Sequence, residues 1–362
     1  MSPTKTSDKS VKPAGKENTP RARRAAPAEQ VVKIKTELTE MFGCQVPIIG
    51  APMFLVSNVD MVVAISEAGA IGTFPTLNFR PAEKYAEALK AVRSRTKKPF
   101  GVNIIVNKSN LRQYDDLKAS LDAGVDLFIT SLGNPAQVIK EAHKNGARVF
   151  ADVTNLEHAL KVQDQGADGV IAVGTGAGGH AGPISPLVLV PWLREKLRIP
   201  VIAAGGIATG RQVAAALSLG AAGVSVGTRF IASREAKVDE AYKQAIIDSS
   251  PEDIVMTTRI SGTPAAVINT PYIQKLGLDL PLPLKLLKEF PRTKKFADLA
   301  IHFLGMRSLE NAATQPTWKT VWSAGQSVGL VHDILSCEEI IQKLAEEYVA
   351  CVSELPGGET RV

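Results

Sequence analysis

One histidine of this chain lies in a loop made almost entirely of glycine. The stretch GTGAGGHAG, Gly174 to Gly182, contains five glycines and His180 in nine residues. Glycine lets backbone N–H groups approach an anion closely, and an imidazole can take or deliver a proton near neutral pH. A structural histidine that bonds a loop carbonyl is the alternative. The position of the loop in the fold, derived below, favours a functional histidine.

Two further glycine-containing pairs follow in the sequence. Gly205 and Gly206 lie in AAGGIATG, and Gly227 and Thr228 lie in GTRF. Each pair follows an apolar run and precedes a helical stretch, so its N–H groups and the next helix N-terminus would converge on one point. One such pair could be an ordinary tight turn. Two of them, together with the histidine loop, predict a site for a phosphate ester.

The elements that position these loops repeat regularly. From Val46 to about residue 247, eight apolar runs of strand length alternate with amphipathic stretches of helical length. The runs are continuously apolar, as expected for parallel strands covered by helices. Several helical stretches end in a glycine that suits a C-cap: Gly69, Gly124, Gly146, Gly166 and Gly220. The pattern predicts a closed (β/α)8 TIM barrel. An open eight-stranded sheet is the alternative, but the sequence shows no point where its strand order would reverse.

In such a barrel, residues at the carboxyl ends of the strands build the active site. The first strand is followed by the apolar Ala51, Pro52 and Met53, which suit a flat ring. Further residues at strand ends are Asn103, Ser131 and Asp152. No His, Asp or Glu cluster has the spacing of metal ligands, so no metal is predicted. A phosphate ester with a flat ring indicates flavin mononucleotide, FMN.

Four motifs also carry a resemblance: APM, GAGGHAG, AAGGIATGRQVAAALSLGAAGVSVGTRF and WSAGQSVGLV. Together they resemble the nitronate monooxygenase family, formerly called 2-nitropropane dioxygenases, from about Val46 to about Tyr348. The resemblance implies a barrel that binds FMN without a covalent bond and oxidises alkyl nitronates with O₂. An FMN-dependent enoyl-acyl-carrier reductase and an NADH:quinone reductase share this architecture.

The resemblance also implies roles for particular residues. Ala51, Pro52 and Met53 are implied to contact the FMN ring, and Asn103 its pyrimidine side. Gly178 and Gly179 are implied to approach the flavin through their backbone. The phosphate is implied to bind Gly205, Gly206, Gly227 and Thr228. His180 would face the substrate over the ring. The sequence departs from the family pattern at Val173, Gly176 and Ala266, where a glutamine, an acidic residue and an arginine are frequent. These departures leave the substrate open.

The sequence therefore predicts an FMN-dependent oxidoreductase that acts on a nitronate or nitroalkane with O₂. An NAD(P)H-dependent reductase of an enoyl thioester or quinone is the first alternative, and a non-catalytic binder of a phosphate ligand is the second. The absence of a signal-peptide pattern, of a membrane-length apolar run and of paired cysteines indicates a cytoplasmic protein without membrane partners. Whether it forms a homodimer is left open.

Charge and composition define the remaining segments. The net charge is +6, and residues 1–30 alone carry seven Lys/Arg against three Asp/Glu. The net charge of the remaining residues is therefore only +2, which argues against nucleic acid as a partner. We expect residues 1–30 to be a disordered basic tail, because they contain no aromatic residue and almost no aliphatic residue larger than alanine. Residues 31–247 are expected to form the barrel, 248–335 a Pro-rich cap with scattered helical pieces, and 336–362 a closing helix and a tail that ends in ETRV.

Overall fold

The computed structural model describes residues 32–107, 110–259, 263–279 and 321–355. The predicted basic tail and the C-terminal ETRV lie outside these ranges. So does His302, which its apolar surroundings in the sequence predict to be either a core histidine or a residue of the substrate pocket. No helix within the described ranges has the length and apolar character needed to cross a membrane.

Eight parallel strands form the central sheet. They are β1 (Ile48–Gly50), β2 (Gly72–Pro75), β3 (Phe100–Ile105), β4 (Leu127–Ser131), β5 (Arg148–Val153), β6 (Gly169–Val173), β7 (Val201–Ala204) and β8 (Gly223–Val226). Their order is β1-β8-β7-β6-β5-β4-β3-β2, and a parallel bridge between Ile49 and Ile71 joins the first strand to the second. This bridge closes the sheet, which confirms the (β/α)8 barrel and excludes the open sheet.

Helices alternate with these strands. One precedes β1, and seven connect successive strands: α1 (Glu37–Phe42), α2 (Val59–Glu67), α3 (Ala82–Arg95), α4 (Gln113–Asp122), α5 (Ala136–Lys144), α6 (Leu156–Asp164), α7 (Pro186–Lys196) and α8 (Gly210–Ser218). The chain continues after β8 with α9 (Thr228–Ile231) and α10 (Glu240–Asp248). The five glycines predicted to end helices all have φ between +67° and +92°, a region that favours glycine.

Strand residues alternate between the barrel interior and the helix layer. One buried cluster fills the interior with Ile49, Ile71, Ile129, Phe150, Ile171 and Ile202. Leu38 of α1 belongs to the same cluster and is fully buried, so α1 closes the amino-terminal end of the barrel. This helix has only six residues, and the sequence pattern does not predict it. At the carboxyl end, Ser131 lies two residues after Ile129 and Asp152 two after Phe150, which turns both side chains inward.

The cap contains a hairpin that the sequence analysis missed. Strands β9 (Ile254–Thr257) and β10 (Ala265–Ile268) pair antiparallel, and α11 (Pro271–Leu276) follows. Single 3₁₀ turns lie at Pro251–Asp253 and Gln326–Leu330. Four-residue strands are too short to show a clear period, which explains why only helical pieces were expected here.

The C-terminal helix, α12 (Cys337–Glu354), closes the fold as predicted and begins with a capping box between Ser336 and Glu339. It packs against the start of α8 with almost no space between the two backbones. A Cβ atom at Gly210 would lie 2.2 Å from the carbonyl oxygen of Leu344. The Gly210 N–H donates to the carboxylate of Glu347 at 2.7 Å.

The contact between α8 and α12 predicts that Gly210→Ala destabilises the protein. The added methyl group must push α12 outward, and overpacking of this kind costs about 1–3 kcal/mol. Urea unfolding followed by circular dichroism measures the loss. Arg211→Ala is the control, because it removes only an exposed ion pair with Glu354 and should leave the midpoint nearly unchanged. Equal midpoints for the two variants would contradict the close packing.

Candidate active site

The glycine loop that follows β6, residues 174–182, lies at the carboxyl end of the barrel and is held on two sides. We call it the β6 loop. Gly179 and Ala266 of β10 exchange two backbone hydrogen bonds, with N–O distances of 3.0 and 2.7 Å. On the other side, the N–H of Gln326 donates to the carbonyl oxygen of Gly176 at 3.1 Å. The hairpin and the segment before α12 therefore fix the loop that carries His180.

Glycine is required where the β6 loop meets the C-terminal segment. A Cβ at Gly325 would lie 2.1 Å from the Gly176 carbonyl oxygen, and one at Gly178 would lie 2.9 Å from the Ala324 carbonyl carbon. Only backbone fits between the two segments. This contact explains why a glycine stands between Ala324 and Gln326 in the motif WSAGQSVGLV. The motif lies far along the chain from the β6 loop but completes the same site.

His180 follows directly after the bridge residue Gly179 and occupies a recess. Its surface remains accessible to solvent, while the surrounding protein desolvates the ring and holds its pKa below the ordinary histidine value. Because the lowered pKa favours the neutral form, the imidazole can accept a proton at physiological pH. A neutral base in an open recess is suited to proton abstraction.

The loop after β7 turns through two left-handed glycines, with φ of +107° at Gly205 and +76° at Gly206. A Cβ at Gly206 would meet no atom within 4 Å, so the backbone there borders open space. The Gly206 N–H donates to the Gly176 carbonyl oxygen at 3.1 Å, which ties this loop to the β6 loop.

The start of α8 differs from expectation. Its first amide, at Gly210, already binds Glu347, and the next turn is closed by Gln212. The Gln212 side chain donates to the Gly206 carbonyl oxygen and accepts from the Ala208 N–H at 2.8 Å. The prediction that the N-terminus of α8 points at a phosphate is therefore wrong, because the carboxylate of Glu347 occupies that position. The Gly206 N–H is also engaged, with the Gly176 carbonyl oxygen, so the candidate that remains is the open space beside Gly206.

The loops after β8 and β1 lie together. A Cβ at Gly227 would lie 3.6 Å from both the Ala51 Cβ and the Met53 Sδ atom. The buried Thr228 accepts a hydrogen bond from the Gly325 N–H at 2.9 Å, which leaves its own O–H able to donate. Thr228 therefore links the β8 end to the C-terminal segment.

The loop after β1 is rigid. Ser57 accepts from the Met53 N–H at 2.9 Å, and Asn78 donates to the Met53 carbonyl oxygen at 3.0 Å. The Ala51 N–H donates to the Val226 carbonyl oxygen at 2.8 Å. Because the amides of Ala51 and Met53 are engaged, the partly buried residues Ala51, Pro52 and Met53 present mainly apolar surface.

Three polar side chains form a row across β3, β4 and β5. Asn103 donates through Nδ2 to the Ser131 hydroxyl at 2.7 Å, and Ser131 donates to Oδ2 of Asp152 at 2.6 Å. Burial raises the pKa of Asp152 to about 6, against the opposing effect of the Ser131 hydrogen bond. All three positions are predicted from the sequence to lie at strand ends, but a role is predicted only for Asn103. The two-residue period of β4 and β5 is the signal that could have joined them.

Among the described residues, the glycine loops after β6, β7 and β8 and the loop after β1 come together, as predicted from the barrel. Asn103 shares no hydrogen bond with these loops and belongs to the polar row instead. Within the same residues, no group of three or more His, Cys, Asp or Glu side chains could hold a metal ion.

A closed barrel with glycine loops at its mouth is an architecture that enzymes use to bind the phosphate of a cofactor or substrate. Residues 35–119 and 109–347 match the nitronate monooxygenase family. The chain belongs to this family of oxidoreductases, in which FMN is the usual cofactor and the substrates are small molecules.

Individual relatives differ in what their names state. The chain is 30% identical to (3aS,4S,5R,7aS)-5-hydroxy-7a-methyl-1-oxo-octahydro-1H-indene-4-carboxyl-CoA dehydrogenase of Mycobacterium tuberculosis, over 86% of this chain and 96% of that protein. FabK from Thermotoga maritima superposes with a TM-score of 0.76 at 33% identity, covering 89% and 98% of the two chains. Nitroalkane oxidase from Streptomyces ansochromogenes has a TM-score of 0.74 at 27% identity, with 88% and 99% covered.

The backbone contact at Gly176 predicts the effect of Gly325→Ala. The methyl group displaces the C-terminal segment and breaks the bond from Gln326, so the Gln326 amide should exchange with deuterium about tenfold faster, the effect of ~1.4 kcal/mol in local opening. Hydrogen-exchange mass spectrometry of residues 322–331 measures this change. Gly43→Ala is the control, since Gly43 has φ of +66° and open space around a Cβ. Unchanged exchange in Gly325→Ala would show that the contact does not hold the segment.

Proposed function

We propose that this protein is an FMN-dependent oxidoreductase that oxidises alkyl nitronates, and the parent nitroalkanes, with O₂. The observation that carries the proposal is the recessed, neutral His180 beside a glycine cradle at the barrel mouth. Membership of the nitronate monooxygenase family and similarity to a nitroalkane oxidase support the same substrate class.

The residues present fit an FMN phosphate at the ends of β7 and β8. A side chain at Gly206 would project into open space, so the glycine leaves that space to a ligand. Gly205 supplies a second left-handed turn residue, and the Thr228 hydroxyl retains a hydrogen to donate. We assign Gly205, Gly206, Gly227 and Thr228 to the phosphate on this basis.

The ring would lie where the β1 loop and the β6 loop face the barrel mouth. Ala51, Pro52 and Met53 offer apolar surface, since their loop amides are engaged internally. Gly178 and Gly179 offer backbone without side chains, and Asn103 offers an amide at the end of β3. The β9–β10 hairpin would border the substrate side through the backbone contact of Ala266 with Gly179.

FMN bound there would supply the electron-accepting group between the nitronate and O₂. His180 performs the proton step that precedes this oxidation. Its neutral imidazole takes the proton from the carbon next to the nitro group, the C–H electron pair forms a C=N double bond, and the negative charge moves to the nitro oxygens. The protonated ring can then stabilise those oxygens by a hydrogen bond.

A second candidate is oxidation or reduction of a coenzyme A thioester with a nicotinamide cofactor. It is favoured by one observation, the 30% identity to a carboxyl-CoA dehydrogenase over nearly the full length of both chains. The carbon next to a thioester is also acidic, so His180 could serve the same proton step. Anaerobic mixing with NADH separates the candidates, because rapid bleaching of the flavin supports the nicotinamide reaction. A purified protein that stays colourless with added FMN would refute both.

The phosphate assignment predicts that Gly206→Val prevents FMN binding. A branched side chain fills the open space and resists the left-handed backbone. If the side chain keeps the phosphate out of this space, a loss of ~3 kcal/mol in binding free energy would weaken the Kd about 150-fold. Flavin fluorescence titration measures it. Gly146→Val is the matched control, because Gly146 has φ of +74° and equal open space but ends a helix far along the chain from these loops. Retention of FMN by Gly206→Val would place the phosphate elsewhere.

The proton step predicts that His180→Asn separates two forms of the substrate. Oxidation of a neutral nitroalkane should fall about 10²–10⁴-fold, the usual contribution of a positioned base. Oxidation of a preformed nitronate should fall much less, since asparagine still donates a hydrogen bond to the nitro oxygens. Wild-type activity on the nitroalkane should decline as the pH falls, with its inflection below the ordinary histidine pKa, because desolvation lowers the pKa of His180 and only the neutral ring is a base.

Steady-state oxygen consumption from pH 5 to 9 measures both effects. His158→Asn is the control, because His158 is an exposed residue of α6 and should change neither substrate. Equal losses on nitroalkane and nitronate would contradict the base role and indicate that His180 positions the substrate. Unchanged rates on both forms would return His180 to a structural role.

A further inference from the structure

The polar row at the ends of β3, β4 and β5 has a direction set by its acceptors. The side-chain amide of Asn103 uses both N–H groups of Nδ2, one toward the Ile129 carbonyl oxygen at 3.1 Å and one toward the Ser131 hydroxyl. A backbone carbonyl can only accept, and an ionised carboxylate can only accept. Ser131 must therefore donate to Asp152, and its lone pair must face the Asn103 amide nitrogen.

This arrangement leaves one kind of group open to the barrel mouth. Within the described residues, Oδ1 of Asn103 and Oδ1 of Asp152 accept no hydrogen bond, and neither is sealed from solvent. Oxidised flavin carries a single N–H in its ring, on the pyrimidine side. An acceptor oxygen held in one orientation is complementary to that group.

We propose that Asp152, acting through Ser131, is a positioning residue that fixes the Asn103 amide with Oδ1 toward the ligand, so that the site selects a flavin ring carrying its N–H. This inference rests on the proposed FMN function. It assigns a role to two side chains that the proton step does not use.

The selection depends on the charge of Asp152. Above about pH 6 the carboxylate is ionised and accepts from Ser131. Below that pH a protonated Asp152 can donate to Ser131 instead, and the Ser131 hydroxyl is then free to seek the oxygen of Asn103. Only the Ile129 carbonyl continues to hold the amide orientation, so the preference weakens as the pH falls.

In the part of the chain that the structure describes, burial and the Ser131 hydrogen bond are what set the pKa of Asp152, without a contribution from another charged group. The neighbouring strand β4 contributes Ser131, and β6 contributes the apolar Ile171 beside it. The β6 loop carries His180, whose lowered pKa results from burial and not from a carboxylate. Within the described residues, Asp152 has no ion-pair partner.

The test compares binding of FMN with binding of N3-methyl-FMN, in which the ring N–H is replaced. Because both carry the same phosphate, whose own pKa is about 6, the ratio of the two Kd values cancels phosphate titration. Fluorescence titrations at pH 5 and pH 8 use the full-length wild type, Ser131→Ala, Ser131→Thr and Asp152→Asn. Thermal unfolding of each apoprotein shows that the variants are folded.

Wild type at pH 8 should prefer FMN about tenfold, the effect of one hydrogen bond of ~1.4 kcal/mol, and the preference should shrink at pH 5. Ser131→Ala should reduce the preference at both pH values, and Ser131→Thr should restore it. Asp152→Asn should make the preference independent of pH. The double variant Asp152→Asn, Ser131→Ala should show the same preference for FMN as Ser131→Ala alone, because the two side chains act through the same row of hydrogen bonds.

An equal preference in wild type and Ser131→Ala would overturn the inference, since a steric clash of the methyl group alone would explain it. A preference of the same size at pH 5 and pH 8 would overturn the role of Asp152. Both outcomes leave FMN binding, and with it the proposed function, intact. Failure of the wild type to bind FMN at all would instead overturn the proposed function together with this inference.

Discussion

The carbonyl oxygen of Gly176 is the point on which the mouth of the barrel depends. It accepts hydrogen bonds from the Gly206 and Gln326 N–H groups, both at 3.1 Å. These donors come from the loop after β7 and from the segment before α12, so one acceptor joins three parts of the chain. Since Gly325 sits against the same oxygen, the contact excludes any side chain there. A loop rich in glycine, which would otherwise be costly to order, is thereby held in one conformation.

The positions of the catalytic candidates follow from this arrangement. His180 lies one residue after the Gly179–Ala266 bridge, which fixes its backbone while the ring remains accessible. Thr228 connects the end of β8 to Gly325, and therefore to the same C-terminal segment. The residues assigned to phosphate and those assigned to proton transfer share one scaffold. A relative named as a CoA dehydrogenase and one named as a nitroalkane oxidase both match most of the length of this chain, so a shared scaffold is compatible with different substrates.

Much of this architecture could be predicted from the sequence, for reasons visible in particular residues. Eight continuous apolar runs alternate with helical stretches, and five of those stretches end in a left-handed glycine, such as Gly124 and Gly166. This repeat defines a barrel. The β9–β10 hairpin could not be found because its strands have four residues each. The use of the α8 N-terminus by Glu347 was equally hidden, since the two residues lie 137 positions apart. The polar row could have been predicted, because Ser131 and Asp152 lie two residues after the inward-facing Ile129 and Phe150.

The position of α12 has a consequence for the order in which the protein is made. The surface of α8 at Gly210 is shaped for a helix near the end of the chain, and Gly325 completes the β6 loop from almost as far along. Synthesis proceeds from the amino terminus, so the eight strands leave the ribosome before either partner exists. The carboxyl end of the nascent barrel therefore remains incomplete until Gly325 and α12 have been synthesised. Truncated chains would be released without a competent site, whatever proportion of the barrel they had already formed.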